Sequence, residues 1–227
     1  MSDIHLHADT TQEKIVAYFD FDGTLTVHDT LISFVKYAVG LKKIIFKIPL
    51  LLPYVLLYLL KIIDNSKLKQ KFLMLTIAGI DKQQLEKSAY EFANNKLDNF
   101  LNSEVFAKLE YHLEHKHTIV IVSANLAVYL RYWAKKHNIH EIIATELEIV
   151  NNKYTGRLST KNCYAIEKIN RINLFLLQKS LKFSYSYAYG NSAGDYELLN
   201  SVNEAYWVNK NNITPWQDFC NKTGRWL

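Results

Sequence analysis

Asp20 and Asp22 stand one residue apart, followed by Gly23 and Thr24, at the end of the short apolar run Ile15-Val16-Ala17-Tyr18-Phe19. That run is rich in β-branched and aromatic residues and reads as a strand buried on both faces. A buried strand does not carry two ionised carboxylates, because unpaired buried charge is expensive. The pair must therefore lie at the strand's carboxyl end and face a cation or a reaction. Open α/β sheets bind their ligands there. Three later places present polar groups in the same way. Ser123 closes the β-branched run Ile119 to Val122, and Lys168 sits near the start of a helix expected over 165–178. Asn191 and Asp195 follow the strand 183–189, within Gly190-Asn191-Ser192-Ala193-Gly194-Asp195.

The elements that position these groups alternate. After the first strand come a second over 117–125, a helix over 127–137 and a third strand over 141–148. A hairpin over 148–156 turns at Asn151-Asn152, and the fifth strand covers 204–208. Strands alternating with helices predict an α/β fold with a doubly wound parallel sheet. Helices are expected over 30–39, 66–78 and 81–101, stopped by Gly40 and Gly79 and started by Asp81, with another from Ser103. They form one helical block between the first two strands. The expected organisation is a core of residues 13–29 and 106–227 and an inserted helical domain of residues 30–105.

A chain of 227 residues, 49% hydrophobic, fits one α/β domain plus an insertion and excludes long disorder. Cys163 and Cys220 make neither a disulfide framework nor a metal-ligand pair, which suits a reducing compartment. Residues 1–12 are polar, with His5 and His7, and lack a signal-peptide pattern; they read as a frayed tail. The expected location is the cytoplasm.

The net charge of +5 is unevenly spread. Residues 31–80 hold eight lysines (36, 42, 43, 47, 61, 67, 69 and 71) and the single acid Asp64, so this segment is +7 and the remainder −2. Inside it, Ile48 to Leu60 has no polar group except two tyrosine hydroxyls. Thirteen residues are too few to span a bilayer, and Pro49 and Pro53 are expected to split them. Two readings stand side by side. The leucines are the core of the insertion, or residues 44–63 lie on an anionic leaflet at the inner face of the membrane. Nucleic-acid binding is not expected, because the lysines flank leucines without interleaved stacking aromatics, and Trp216 and Trp226 read as packing residues.

The stretch Asp20-Phe21-Asp22-Gly23-Thr24 resembles the first motif of the haloacid dehalogenase (HAD) superfamily, and Ser123, Lys168 and Asn191/Asp195 resemble the remaining three in order. The helical block at 30–105 and the stretches 155–168 and 187–195 are similar to subfamily IB, the phosphoserine-phosphatase-like branch with an α-helical cap. The resemblance implies a Mg²⁺-dependent phosphomonoesterase. Asp20 would be the nucleophile that becomes an aspartyl-phosphate, and Asp22 the general acid and base. Thr24, Ser123 and Lys168 would hold the phosphoryl oxygens, and Asp20, Asp22, Asn191 and Asp195 the cation. An apolar, basic cap suits an amphiphilic ester such as phosphatidylglycerophosphate; the alternative within the class is a soluble ester of the phosphoserine type.

The sequence departs from the family in two places. The fourth motif usually begins Gly-Asp, and here it is Gly190-Asn191, which removes one negative charge from the expected cation site. Ala124 stands where the phosphoserine enzymes carry glycine, and Asp29 occupies the place of their amine-binding acid while also suiting the start of the helix at Thr30. A catalytically silent membrane- or protein-binding module on the same fold is the competing reading from another class.

Overall fold

The structure is a computed structural model that describes residues 14–210 and 212–224. The expectations for the amino-terminal tail and for Trp226 lie outside the described residues. β1 (Ile15–Phe19) is the middle of a six-stranded sheet. It pairs in parallel with β2 (Thr118–Leu126) on one side and β6 (Tyr185–Gly190) on the other. β3 (Glu141–Thr145) lies parallel outside β2. Outside β6 come β7 (Glu204–Asn209), parallel, and β8 (Asn212–Pro215), antiparallel.

Alternation within the strands builds two cores. Ala17, Phe19, Ile119 and Ile121 point to one face, and Val16, Tyr18, Val120 and Val122 to the other. The first face is covered by α5 (Ser103–Glu114) and α6 (Ala127–Lys136), the second by α7 (Ile166–Gln178), α8 (Tyr196–Leu199) and α9 (Trp216–Thr223). This is the doubly wound α/β sheet expected from the alternation of elements. The chain fills one side through β2 and β3 and then returns to β6, so the order reverses between β1 and β6. Their carboxyl ends are the place where such sheets hold ligands.

Four helices form an insertion between β1 and α5: α1 (Leu31–Val39), α2 (Leu41–Leu59), α3 (Asn65–Thr76) and α4 (Lys82–Asn95). The two ends of this insertion lie together, with Val27 N–H donating to Phe100 O at 2.8 Å and Asn102 N–H to Leu25 O at 2.9 Å. Phe34, Leu73, Leu85 and Phe92 of the insertion share the first core with α6.

The third strand is shorter than expected. The chain leaves the main sheet at Glu146, and Leu147 to Val150 form β4, paired with β5 (Lys153–Leu158) as a separate hairpin. Asn151 and Asn152 both have positive φ, +49° and +60°, which gives the tight turn that asparagine favours. The hairpin grips the insertion. Gly79 N–H donates to Tyr154 O at 2.8 Å, and Tyr154 N–H to Ile80 O at 2.9 Å. Gly156 passes so close to α3 that a Cβ there would lie 2.5 Å from Met74 Cα.

Two helix expectations are corrected. The helix starting at Asp81 stops at Asn95 and ends in a tight turn over Leu97–Phe100 rather than reaching Leu101. Pro49 and Pro53 do not split the leucine stretch, because α2 runs unbroken through both. Proline's fixed φ is helical, and what each one loses is the bond to the carbonyl four residues back, at a cost of about 3 kcal/mol. On an exposed helix water can reach those carbonyls. No residue of α2 is fully buried, so the leucines do not form the core of the insertion. Among the described residues, no helix is long and apolar enough to cross a membrane.

Candidate active site

Asp20 follows β1 in extended backbone, and its N–H donates to Tyr189 O of β6 at 3.0 Å. The chain then turns sharply over Phe21–Leu25, with Gly23 at φ +78°. This turn brings Thr24 back to the strand end. Its hydroxyl lies 3.1 Å from Asp20 Oδ2 and 3.2 Å from Asn191 Oδ1, so two oxygens from different strands converge on one proton.

Asp20 is buried, and Lys168 Nζ donates to its Oδ1 at 2.6 Å. The same ammonium lies 2.5 Å from Asp195 Oδ1. Burial, and then the charge of Asp195, push the Asp20 carboxyl up to about 6, while Lys168 and Thr24 pull against them. Burial alone would lower the Lys168 ammonium, but the carboxylates of Asp195 and Asp20 outweigh it and hold the group above its ordinary range. Asp20 is thus kept ionised at neutral pH by a fully charged lysine.

Asp195, expected among the cation ligands, has both oxygens engaged. Oδ1 takes Lys168, and Oδ2 accepts from the N–H groups of Asn191 at 3.1 Å and Ser192 at 3.0 Å and from Ser192 Oγ at 2.9 Å. It shapes the loop after β6 and locates the lysine. The reason is burial: a carboxylate with no exposed surface must be saturated by donors.

Asp22 has different neighbours. Its Oδ1 accepts from Thr30 N at 2.8 Å and Thr30 Oγ1 at 2.7 Å, and its Oδ2 accepts from Asn125 Nδ2. Tyr129 OH lies 2.9 Å from Thr30 Oγ1 and completes the cluster. Burial, then the nearby Asp29, raise Asp22 to about 7, and the Thr30 bonds oppose them. A carboxyl near 7 both gives and takes a proton at neutral pH.

Ser123 is buried in β2, three residues before the strand's last residue, and its Oγ accepts from Asn125 N at 3.0 Å. Past Ser123 the pairing of β2 with β3 slips, and this irregularity turns Asn125 toward Asp22 and presents the Ala124 carbonyl outward. The Ala124 carbonyl takes a bond from Lys69 Nζ of α3 and one from Thr145 Oγ1. Asp29 is exposed and accepts from Leu31 N at 2.7 Å, capping α1.

Asp20, Thr24, Lys168 and Asn191 therefore meet in one place, with Asp22 and Ser123 on its flank. Sequence reasoning did not single out Thr30, Asn125, Tyr129 or Lys69. Asn125 directly follows the Ser123-Ala124 pair and was within reach. Thr30 read only as a helix start, and Lys69 only as one of eight basic residues.

A cavity of about 330 Å³ opens beside Asp22, floored by Asp22, Ala124, Asn125 and Asn162. Its roof is apolar, built from Leu51 and Val55 of α2 and Leu68 and Phe72 of α3. A larger hollow of about 530 Å³ lies at the α9 end beside Leu199, Trp216 and Asn221, away from the strand-end carboxylates, and the chemistry favours the smaller one.

Among the described residues, no three His, Cys, Asp or Glu side chains are grouped to hold a metal ion. The donors available to a hard cation are Asp20 Oδ2, the amide oxygen of Asn191, which converge on Thr24, and the backbone of the intervening turn. All are oxygens, which suits Mg²⁺ with several retained waters.

A family model described as haloacid dehalogenase-like hydrolase matches residues 17–200. Protein CicA of Caulobacter vibrioides is 28% identical over 193 residues, 85% of each chain. A solved structure of a protein of unknown function from Bordetella pertussis Tohama I superposes with a TM-score of 0.76 at 21% identity, over 93% of this chain and 96% of that one. A phospho-aspartyl intermediate analogue of phosphoserine phosphatase superposes with a TM-score of 0.59 at 13% identity, over 86% of each chain. At such identities the structural likeness is one of fold.

Proposed function

The chain belongs to the haloacid dehalogenase-like hydrolase family, and from that premise we propose that it is a Mg²⁺-dependent phosphatase acting on an amphiphilic phosphomonoester at the inner face of a membrane. The observation that carries the phosphatase reading is the pairing of two unlike carboxyls. Asp20 is held ionised by Lys168 2.6 Å away, and Asp22, two residues on, sits near 7 among uncharged donors.

In this reading an Asp20 oxygen attacks phosphorus while the ester bond breaks. The departing alkoxide takes the proton of Asp22. The phosphoryl group is then carried on Asp20. A water gives its proton to the Asp22 carboxylate and attacks phosphorus, the Asp20–phosphorus bond breaks, and inorganic phosphate leaves. Lys168 and the Thr24 and Ser123 hydroxyls offset the charge on the transferring group. Asp20, the Asp22 backbone and Asn191 would hold Mg²⁺, which when bound supplies positive charge between the carboxylates and the phosphate dianion.

Residues 30–105 serve as the cap in this reading, and α2 supports the choice of substrate. Phe46 is 79% exposed, Leu59 69% and Leu60 60%, with Lys42, Lys43, Lys47 and Lys61 around them. Monomeric soluble proteins rarely leave so large an apolar face open, and flanking lysines favour an anionic leaflet. Leu51 and Val55 of that helix also line the cavity at Asp22, which supports an acyl chain lying along α2. Asp29, which would meet the amine of a phosphoserine-type substrate, already caps α1.

The test is phosphate release from phosphoserine, sugar phosphates, nucleotides and short-chain lipid phosphates, with Mg²⁺ and with chelator. Chelator-sensitive turnover favouring lipid phosphates is expected. Preference for a soluble ester overturns the amphiphile, and silence across the panel overturns the phosphatase in favour of a binding module.

A further inference from the structure

The turn that ends α5 sets two imidazoles against each other. Lys116 takes positive φ, +58°, and the chain folds back on the helix. Lys116 N–H donates to Leu113 O at 3.0 Å, and His117 N–H to His112 O at 2.9 Å. This pair of bonds closes a helix in the Schellman manner, and it brings the second residue past the helix end beside the third residue before it. An apolar pair commonly fills those two places. Here they hold His117 and His112, whose Nδ1 atoms lie 2.7 Å apart.

Both rings are held in place. Buried His112 meets Tyr189 OH through Nε2 at 3.0 Å, and a hydroxyl, which both donates and accepts, serves either tautomer. Half-buried His117 lies parallel to the Tyr187 ring, 6.1 Å away and 9° from its plane. An outer partner on the second ring nitrogen is the usual support of a metal-bound histidine. The centroids of His112 and His117 are 5.0 Å apart. Two imidazoles on one tetrahedral ion, each nitrogen about 2 Å from it, place their centroids at about 5 Å. His115 is held apart, its Nδ1–H donating to Tyr111 O at 2.7 Å. A cavity of about 170 Å³ lined by Tyr111, His112, Tyr187 and the oppositely charged Lys108 and Glu204 gives a way in and room for water.

We propose that His112 and His117 form a metal site at the amino end of β2, taking a divalent transition ion of the zinc and copper kind through their two Nδ1 atoms. Imidazole nitrogens suit these ions, whereas Mg²⁺ prefers oxygen, so the site is chemically separate from the strand-end carboxylates. Among the described residues no third His, Cys, Asp or Glu joins the pair, and water fills the remaining positions. Between the two Nδ1 atoms there is one hydrogen and one lone pair. On binding, that hydrogen passes through solvent to the Nε2 of its own ring, both lone pairs face the ion, and no net proton is released. The ion would then tie the end of α5 to the residue before β2. The proposal stands on this geometry alone and is independent of the phosphatase reading.

The experiment titrates zinc chloride into the full chain by calorimetry, with saturating Mg²⁺ present to occupy oxygen sites. The wild type is expected to show a Zn²⁺ site that His117→Gln weakens about tenfold or more, because half of its protein ligands are gone. His5, His7, Cys163 and Cys220 are present in every variant, so only the difference is read. His117→Gln is the deciding variant, since its ring is half-exposed and the fold does not depend on it. Zn²⁺ should also raise the melting temperature of the wild type more than that of His117→Gln. The part of buried His112 is read in the wild type itself, where Zn²⁺ should shift the Nδ1 resonances of His112 and His117 together in imidazole NMR spectra. Unchanged Zn²⁺ binding in His117→Gln, an equal loss in His115→Gln, or His112 and His117 resonances that Zn²⁺ leaves in place overturns the proposal.

Discussion

Gly23 and Asn191 compete for one volume: a Cβ built on Gly23 would lie 2.1 Å from Asn191 Nδ2. The glycine also holds φ at +78°, which alanine adopts only with strain of about 1 kcal/mol. Gly23→Ala is therefore expected to displace the Asn191 amide. The apparent Mg²⁺ affinity should weaken at least tenfold while the melting temperature falls only slightly. Titration of activity against Mg²⁺ checks it, and an unchanged half-saturation point would show that Asn191 is not a ligand.

Asn191→Asp restores a full negative charge beside Asp20 and Thr24. Mg²⁺ is expected to bind more tightly, and the chelator concentration that halts turnover should rise. Unchanged metal dependence would remove position 191 from the cation site.

Asp195 works through Lys168. Asp195→Asn leaves the ammonium with one carboxylate and breaks a buried pair, for which a loss of about 4 kcal/mol is typical. Turnover is expected to fall with little change in Mg²⁺ half-saturation, because neither oxygen of Asp195 is free for the cation. Denaturant unfolding and a metal titration on the same sample separate the two effects.

Stability should fall on mild acidification. Burial first, then the neighbouring His117, Lys108 and His115, lower His112 from 6.5 to about 4. The folded state refuses a proton that the unfolded state accepts. The contribution is intact above pH 6.5 and is lost as pH falls toward 4, by on the order of 2–3 kcal/mol. In the fold, His112 lies 2.7 Å from His117 Nδ1 and 3.0 Å from Tyr189 OH, ring nitrogen to partner. His112→Phe should flatten unfolding free energy against pH in that window; an unaltered slope would assign the acid sensitivity to other groups.

The exposed face of α2 offers a test that spares the carboxylates. Replacing Phe46 and Leu59 together by serine should leave the melting temperature within a degree or so and cut binding to anionic vesicles about tenfold or more, as lost apolar area predicts. Vesicle co-sedimentation measures it, and retained binding would move the contact elsewhere.

The α/β sheet and its ligand edge were legible because their signals are local. Asp20, Asp22 and Thr24 follow one apolar run, and Asn191 closes another. The Asp22 cluster was not legible, because Thr30, Asn125 and Tyr129 meet only when α1 packs over β2 and α6. Lys69 looked like its basic neighbours, since nothing in its spacing says that α3 turns it inward. Asp195 carried the acid expected of a ligand, and only its burial revealed that its oxygens were committed. The strand beginning at Glu141 read as continuous because β-propensity does not mark where a chain changes sheets. β8 and α9 had too few residues to stand out.

The clasp between the β4–β5 hairpin and the insertion has a bearing on traffic through the molecule. With Gly79 and Ile80 bonded to Tyr154, and Phe92 and Leu85 sunk in the common core, swinging the whole insertion aside would break backbone ladders and expose that core. α2 is bound by none of these ties and has no fully buried residue, so it is the part that opens at least cost. The doorway to the cavity is then a single greasy helix, and on the membrane reading proposed above the surface laid on the bilayer would also be the hinge through which a molecule leaves it.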